Sequence, residues 1–209
     1  MAQAHRPLSI ADIMGIAPVI PVLVIERIED AVSIAEALVS GGLPVLEVTL
    51  RTPVALDAIR AMRTVPGAVV GAGTVLNPEQ LAAAQEAGAQ FAVSPGFTER
   101  LARAAAIPWL PGVATAGEVM RALDFGLTRL KFFPATAAGG LPALRGLSAV
   151  FGQVRFCPTG GISQATEAEW LALPSVACIG GSWLTPAGEP VDTDAIRRRA
   201  LAAAALHRT

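Results

Sequence analysis

Gly42-Leu43-Pro44-Val45-Leu46-Glu47-Val48-Thr49-Leu50-Arg51 opens on a glycine, runs through an apolar stretch and ends on charge. The same punctuation returns at Gly88-Ala89-Gln90-Phe91-Ala92-Val93 and at Gly126-Leu127-Thr128-Arg129-Leu130-Lys131. Each glycine closes a helical pattern, as a left-handed C-terminal cap requires, and a strand follows. The fifth residue after the glycine is Glu47, Val93 and Lys131 in turn. Apolar runs elsewhere bring the candidate strands to eight: 18–25, 43–50, 68–73, 90–94, 107–111, 128–133, 154–158 and 175–179. Helix patterns lie between them; in 30–40, Ala31, Ile34, Ala35 and Leu38 share one face. Alternating β and α units imply a parallel sheet. Eight of them predict a closed (β/α)8 TIM barrel, in which alternate strands supply one interior layer. The segments of the repeat are the second, fourth and sixth strands, so Glu47 and Lys131 are expected to point inward in one layer.

Other signals agree. Thr52-Pro53, Asn77-Pro78 and Thr115-Ala116-Gly117-Glu118 read as helix starts, by cap, first-turn proline and capping box. A short helix over 9–17 is placed to plug the bottom of the barrel. The 209 residues are read as one domain, 1–209. An open doubly wound sheet is the competing fold, but Gly71-Ala72-Gly73-Thr74 has two of the three glycines of a dinucleotide fingerprint.

Composition narrows the chemistry. The chain is 53% hydrophobic and 16% charged, with a net charge of −1. It has no basic excess for nucleic acid, no polybasic run for a membrane surface and no uninterrupted apolar stretch of a signal peptide at its start. Cys157 and Cys178 sit in apolar runs, and a reduced, cytoplasmic protein is expected. The only histidines are His5 and His207, near the ends, and there is no tyrosine. A histidine triad or a histidine-rich zinc site is therefore disfavoured. Acid–base work falls to carboxylates, cysteine or the one lysine, Lys131, among fifteen arginines.

On the strand around Glu47, Leu46, Val48 and Leu50 face the helices, while Val45, Glu47, Thr49 and Arg51 face the other way. An internal Glu47–Arg51 salt bridge is the structural reading. The functional one is an acid–base carboxylate beside a guanidinium that binds an anion, near the C-terminal face where barrel enzymes keep their sites. Lysine is rarely buried, yet Lys131 lies in an apolar strand followed by Phe132 and Phe133. It is either a snorkelling side chain or a nucleophile that forms a Schiff base. Glycine pairs follow the seventh and eighth strands, at Gly160-Gly161 and Gly180-Gly181-Ser182. Loops in those places often bind phosphate through backbone N–H groups. Trp109, Trp170 and Trp183 read as core or interface. No set of residues has metal-ligand spacing.

The runs VLEVTLRT, VGAGTVLNPEQ, FAVSPGF, LKFFPA, RFCPTGGIS and CIGGSWL resemble the bacterial 2-keto-3-deoxy-6-phosphogluconate (KDPG) aldolases, some of which also act as 4-hydroxy-2-oxoglutarate (KHG) aldolases. The likeness spans residues 10–186. It implies a class I, Schiff-base aldolase on a (β/α)8 barrel, without cofactor or metal, cytoplasmic and homotrimeric, with a small phosphorylated keto acid as its partner. By the same resemblance Lys131 is the Schiff-base lysine and Glu47 the general acid–base. Arg51, Thr74, Pro95 and Thr159 match substrate-binding positions, and Gly160, Gly161, Gly181 and Ser182 match phosphate-binding loops. A galactonate-branch phosphoaldolase, a phosphosugar epimerase or metal-dependent aldolase, and a non-catalytic phosphosugar-binding barrel are the alternatives.

Overall fold

A computed structural model describes residues 8–186, 188 and 190–206. His5, His207 and residues 1–7 of the stretch read for a signal peptide lie outside the described residues. In chain order the elements are α1 (Ile10–Ile16), β1 (Val19–Leu23), α2 (Ala31–Ser40), β2 (Val45–Thr49), α3 (Ala55–Met62), β3 (Val69–Gly73), α4 (Pro78–Glu86), β4 (Ala92–Val93) and α5 (Glu99–Ala104). Then come β5 (Trp109–Leu110), β6 (Gly112–Val113), α6 (Ala116–Asp124), β7 (Arg129–Phe132), α7 (Gly140–Val150), β8 (Arg155–Pro158), α8 (Glu167–Leu171), β9 (Ile179–Gly181) and α9 (Thr193–Ala204).

The fold is α/β with a curled, parallel sheet. Six strands pair in the order β5-β4-β3-β2-β1-β9, and three more in the order β6-β7-β8. The expected fifth strand is thus split: Pro111, which has no N–H to give a ladder, separates β5 from β6, and the expected sixth strand is β7. The eighth also differs. Its strand is Ile179–Gly181, so the second glycine pair belongs to the strand and does not follow it. Pairing with β1 is what extends it, through Ile20↔Gly180 and Pro21↔Gly181.

Helix punctuation follows local chemistry at most positions. Asn77 caps α4 by accepting from the Gln80 N–H, and Thr115 with Glu118 forms a capping box on α6. Gly42, Gly88 and Gly126 have φ of +88°, +92° and +72°, the left-handed region that a Cβ disfavours. Thr52 is a correction. Helix α3 begins three residues later without a side-chain cap, and the Thr52 hydroxyl donates instead to the Ile25 carbonyl at 2.6 Å. A bond between β-to-α connections outcompetes the local cap.

Two apolar clusters lie on opposite faces of the sheet. The larger joins its outer face to the helices and holds Leu46, Val48 and the buried stripe Ala31, Ile34, Ala35 and Leu38 of α2. The smaller is interior: Ile20, Val45, Phe91, Val93, Leu110, Cys157 and Cys178. Ile13 and Met14 of α1 complete it, so the N-terminal helix, held by a Ser9–Asp12 capping box, packs against the interior at Val45, two residues before Glu47. In the run Arg197–Arg199 of α9, Arg197 and Arg198 are exposed, whereas Arg199 is half-buried and donates to the Leu184 carbonyl.

Glu167, at the start of α8, is buried, and its Oε2 has no hydrogen-bond partner among the described residues. Burial pushes its carboxyl above the ordinary glutamate range, because the charged form loses hydration. An acid that binds its proton more tightly when folded costs stability as pH rises from its unfolded pKa through its folded one. Glu167→Gln should therefore raise the melting temperature at pH 7. The gain should fade as pH falls from the raised folded pKa toward about 4.3, below which the unfolded side chain is also protonated; thermal melts from pH 4 to 8 check this.

Candidate active site

Strand alternation sends Glu47 into the interior above Val45, and β7 sends Lys131 to meet it. Lys131 Nζ lies 3.2 Å from Glu47 Oε1. Both are buried, at 5% and 3% exposure. The salt bridge weighed within the strand does not form: Glu47 pairs with Lys131, and Arg51 is exposed with no ion pair among the described residues. Its guanidinium is open to an anion. The ring of Phe133 covers the ammonium, its centroid 5.1 Å from Nζ, a cation–π contact that also keeps solvent from that side.

These groups face a cavity of about 490 Å³. It is lined by Glu47, Arg51, Thr74, Pro95, Lys131, Thr159, Gly160, Gly161 and Ser182 together with Phe133, Gly180 and Trp183. Nine of the ten residues singled out from sequence therefore share one wall system. The tenth, Gly181, does not line it. It pairs with Pro21, and the ring of Trp183 occupies the space its side chain would need. Gly180 takes the place in the wall. Trp183 was read as core or interface, and no sequence signal placed it here; the packing of its indole on Gly181 does so.

The backbone shapes the cavity. Thr74, just past β3, has φ of +59°, strained for a β-branched residue by about 1–3 kcal/mol. Such strain persists only where the surroundings over-determine it. Gly160 and Gly161 have φ of +99° and +78°, which makes a concave turn with few side-chain atoms. A Cβ on Gly180 would come within 2.8 Å of Thr159 Cγ2, so the missing side chain leaves room for the threonine. Thr159 is buried, with its Oγ1 3.9 Å from Cys157 Sγ.

A larger cavity, of about 800 Å³, adjoins it between β1, α2 and α9 and shares Val24, Thr185 and Pro186. It has neither a lysine nor a buried acid–base pair, so size and chemistry point to different places, and chemistry selects the smaller. No group of three metal-ligating side chains occurs among the described residues. What the site can do follows from its parts: an amine for a carbonyl, a carboxylate for its protons, a guanidinium for a carboxylate and a glycine-lined turn for a phosphate.

Comparison with known proteins gives consistent likenesses. The family model for KDPG and KHG aldolase matches residues 10–199. A 2-dehydro-3-deoxy-phosphogluconate aldolase of Zymomonas mobilis is 61% identical over 87% of this chain and 88% of its own length. The crystal structure of the 2-keto-3-deoxy-6-phosphogluconate aldolase of Z. mobilis ZM4 with 3-phosphoglycerate superposes with a TM-score of 0.93 at 58% identity, covering 95% and 96% of the two chains. The KDPG aldolase of Legionella pneumophila, solved with pyruvate captured as a covalent carbinolamine intermediate, gives 0.92 at 46% identity over 95% and 99%.

The buried pair makes a stability prediction of its own. Lys131→Met leaves the Glu47 carboxylate buried without its cation and should cost about 3–5 kcal/mol. Adding Glu47→Leu should restore most of that loss. Urea denaturation of the two variants against the parent measures both effects.

Proposed function

The chain belongs to the KDPG and KHG aldolase family, and from that premise we propose that it is a class I aldolase, a carbon–carbon lyase. It cleaves 2-dehydro-3-deoxy-6-phosphogluconate to pyruvate and D-glyceraldehyde 3-phosphate. The observation that carries this reading is one buried lysine amine 3.2 Å from one buried carboxylate, beside a glycine-lined turn. KHG, which lacks the phosphate, is a second substrate that the dual name of the family supports.

The mechanism uses the geometry directly. Lys131 gives a proton to Glu47, and the neutral amine adds to the C2 ketone. Glu47 returns that proton to the departing hydroxyl, and loss of water from the carbinolamine leaves a protonated imine, close to the Phe133 ring. Arg51 holds the carboxylate next to that carbon, with Thr74, Pro95 and Thr159 shaping the pocket around it. Glu47 then takes the proton of the C4 hydroxyl. The C3–C4 bond breaks, its electron pair moves toward the imine nitrogen, and the aldehyde leaves with its phosphate held by the N–H groups of Gly160 and Gly161 and by Ser182. The enamine takes a proton at C3, and hydrolysis returns pyruvate and the free lysine. Proton transfer by a positioned carboxylate contributes about 10²–10⁴-fold.

In this reading the two sheets are one closed (β/α)8 barrel and a single domain. A parallel bridge between Thr159 and Gly180 joins β8 to β9, and Pro111 alone separates β5 from β6. The protein is proposed to work in the cytoplasm as a homotrimer on a small phosphorylated keto acid. No helix among the described residues is long and apolar enough to cross a membrane.

Incubation with pyruvate and borohydride should add one reduced pyruvyl group per chain, on the peptide containing Lys131. There is no other lysine, so only the N-terminal amine competes, and peptide mapping separates the two. Lys131→Arg should abolish trapping and cleavage, because a guanidinium keeps the charge without being a nucleophile. Near wild-type cleavage by that variant would end the Schiff-base reading. For the phosphate, a bulky replacement of Gly161 should raise KM for the phosphorylated substrate far more than for KHG; equal losses on both would remove the phosphate role.

A further inference from the structure

Gly73 ends β3 opposite Thr49 of β2, and its carbonyl accepts from the Leu50 N–H at 2.9 Å. Nothing in its backbone calls for glycine: it is not among the residues of positive φ. Space is what calls for it. A Cβ built on Gly73 would stand 2.7 Å from Glu47 Cγ and 2.9 Å from Cδ, and nearer still to Oε1. Real Cβ atoms do not approach other atoms so closely. The atom crowded most is the oxygen that holds Lys131 Nζ.

Resting on the aldolase reading above, we infer that Gly73 is a positioning residue for proton transfer: the absent side chain is the seat in which the Glu47 carboxylate lies. The Glu47 side chain is flexible, so an added methyl displaces it without breaking the sheet. The cost falls on chemistry, since the displaced carboxylate still reaches the lysine but its oxygen loses its alignment to the reacting carbon. Gly71, two residues earlier on the same face of β3, provides an internal comparison. A Cβ there would come 2.5 Å from the ring of Phe91, whose atoms are its three nearest neighbours, an apolar clash in place of one with the carboxylate.

The experiment uses pyruvate alone. Once pyruvate is held as the imine, a base removes a methyl proton. The C–H electron pair becomes the enamine double bond, and the imine nitrogen takes the displaced pair. In D2O the enamine returns with deuterium, and proton NMR follows the loss of the methyl signal. Gly73→Ala should fold, with a wild-type circular dichroism spectrum, and should retain borohydride trapping of pyruvate. Methyl exchange and kcat should each fall on the order of 10²-fold, the scale of a displacement of about 1 Å in a catalytic group, with KM little changed. Gly71→Ala should not separate trapping from exchange. Shortening the acid in the same background, Glu47→Asp with Gly73→Ala, should exchange faster than Gly73→Ala alone. The inference is overturned if Gly73→Ala exchanges at the wild-type rate, loses trapping as fully as exchange, fails to fold, or gains nothing from the shorter acid. Failure of the wild-type chain to trap pyruvate at all would instead overturn the aldolase reading, so the two failures are distinct.

Discussion

A positive and a negative charge held together out of water constrain the rest of this interior. Lys131 and Glu47 stand 84 residues apart in sequence and belong to different sheets, yet their charged atoms meet at 3.2 Å. Removing each from water costs several kcal/mol, and the attraction offsets that only if the geometry is held. The topology holds it. Strand β2 is bonded on both edges, to β1 and β3, and β7 on both edges, to β6 and β8. Neither charged side chain rides on a sheet edge or a loop. A hydrophobic pair of the same volume would serve stability equally well, so stability alone does not account for a charged pair here.

Beneath the pair, Phe91, Val93, Leu110, Cys157 and Cys178 fill the interior, and α1 packs against them with Ile13 and Met14. Above it, glycines clear space at Gly73, Gly160, Gly161 and Gly180. The same residue type does two different jobs. At Gly160 and Gly161 it permits a left-handed backbone; at Gly73 and Gly180 it leaves volume for the side chain of a neighbouring strand, Glu47 in one case and Thr159 in the other. Trp183 extends the second device, folding its ring onto Gly181 and turning into the cavity wall. The site is therefore shaped by missing side chains as much as by those present.

Local periodicity and punctuation carried much of this protein in the sequence. Glycine at 42, 88 and 126 ends a helix because the left-handed region is open to it at no steric cost. Alternation along 45–51 sends Leu46 and Val48 to the helices and Val45 and Glu47 inward. A single lysine in an apolar strand marks a buried amine, and burying an amine requires a partner. Those features depend on neighbours within a turn or a strand, and so they are legible one residue at a time.

What the sequence could not carry is whatever depends on residues far apart. Thr52 has every local mark of a cap, but a carbonyl 27 residues earlier claims its hydroxyl. Glu47 had Arg51 four residues away as a plausible partner, and the barrel-like curl of the sheet brings Lys131 instead. The last strand extends to Gly181 because β1 offers it a ladder. Sequence by itself determined the order of most elements, which face of each is apolar and that Glu47 and Lys131 lie in strands. Only the tertiary structure decided who meets whom, because a contact across the sheet depends on register and curvature, which no local window contains.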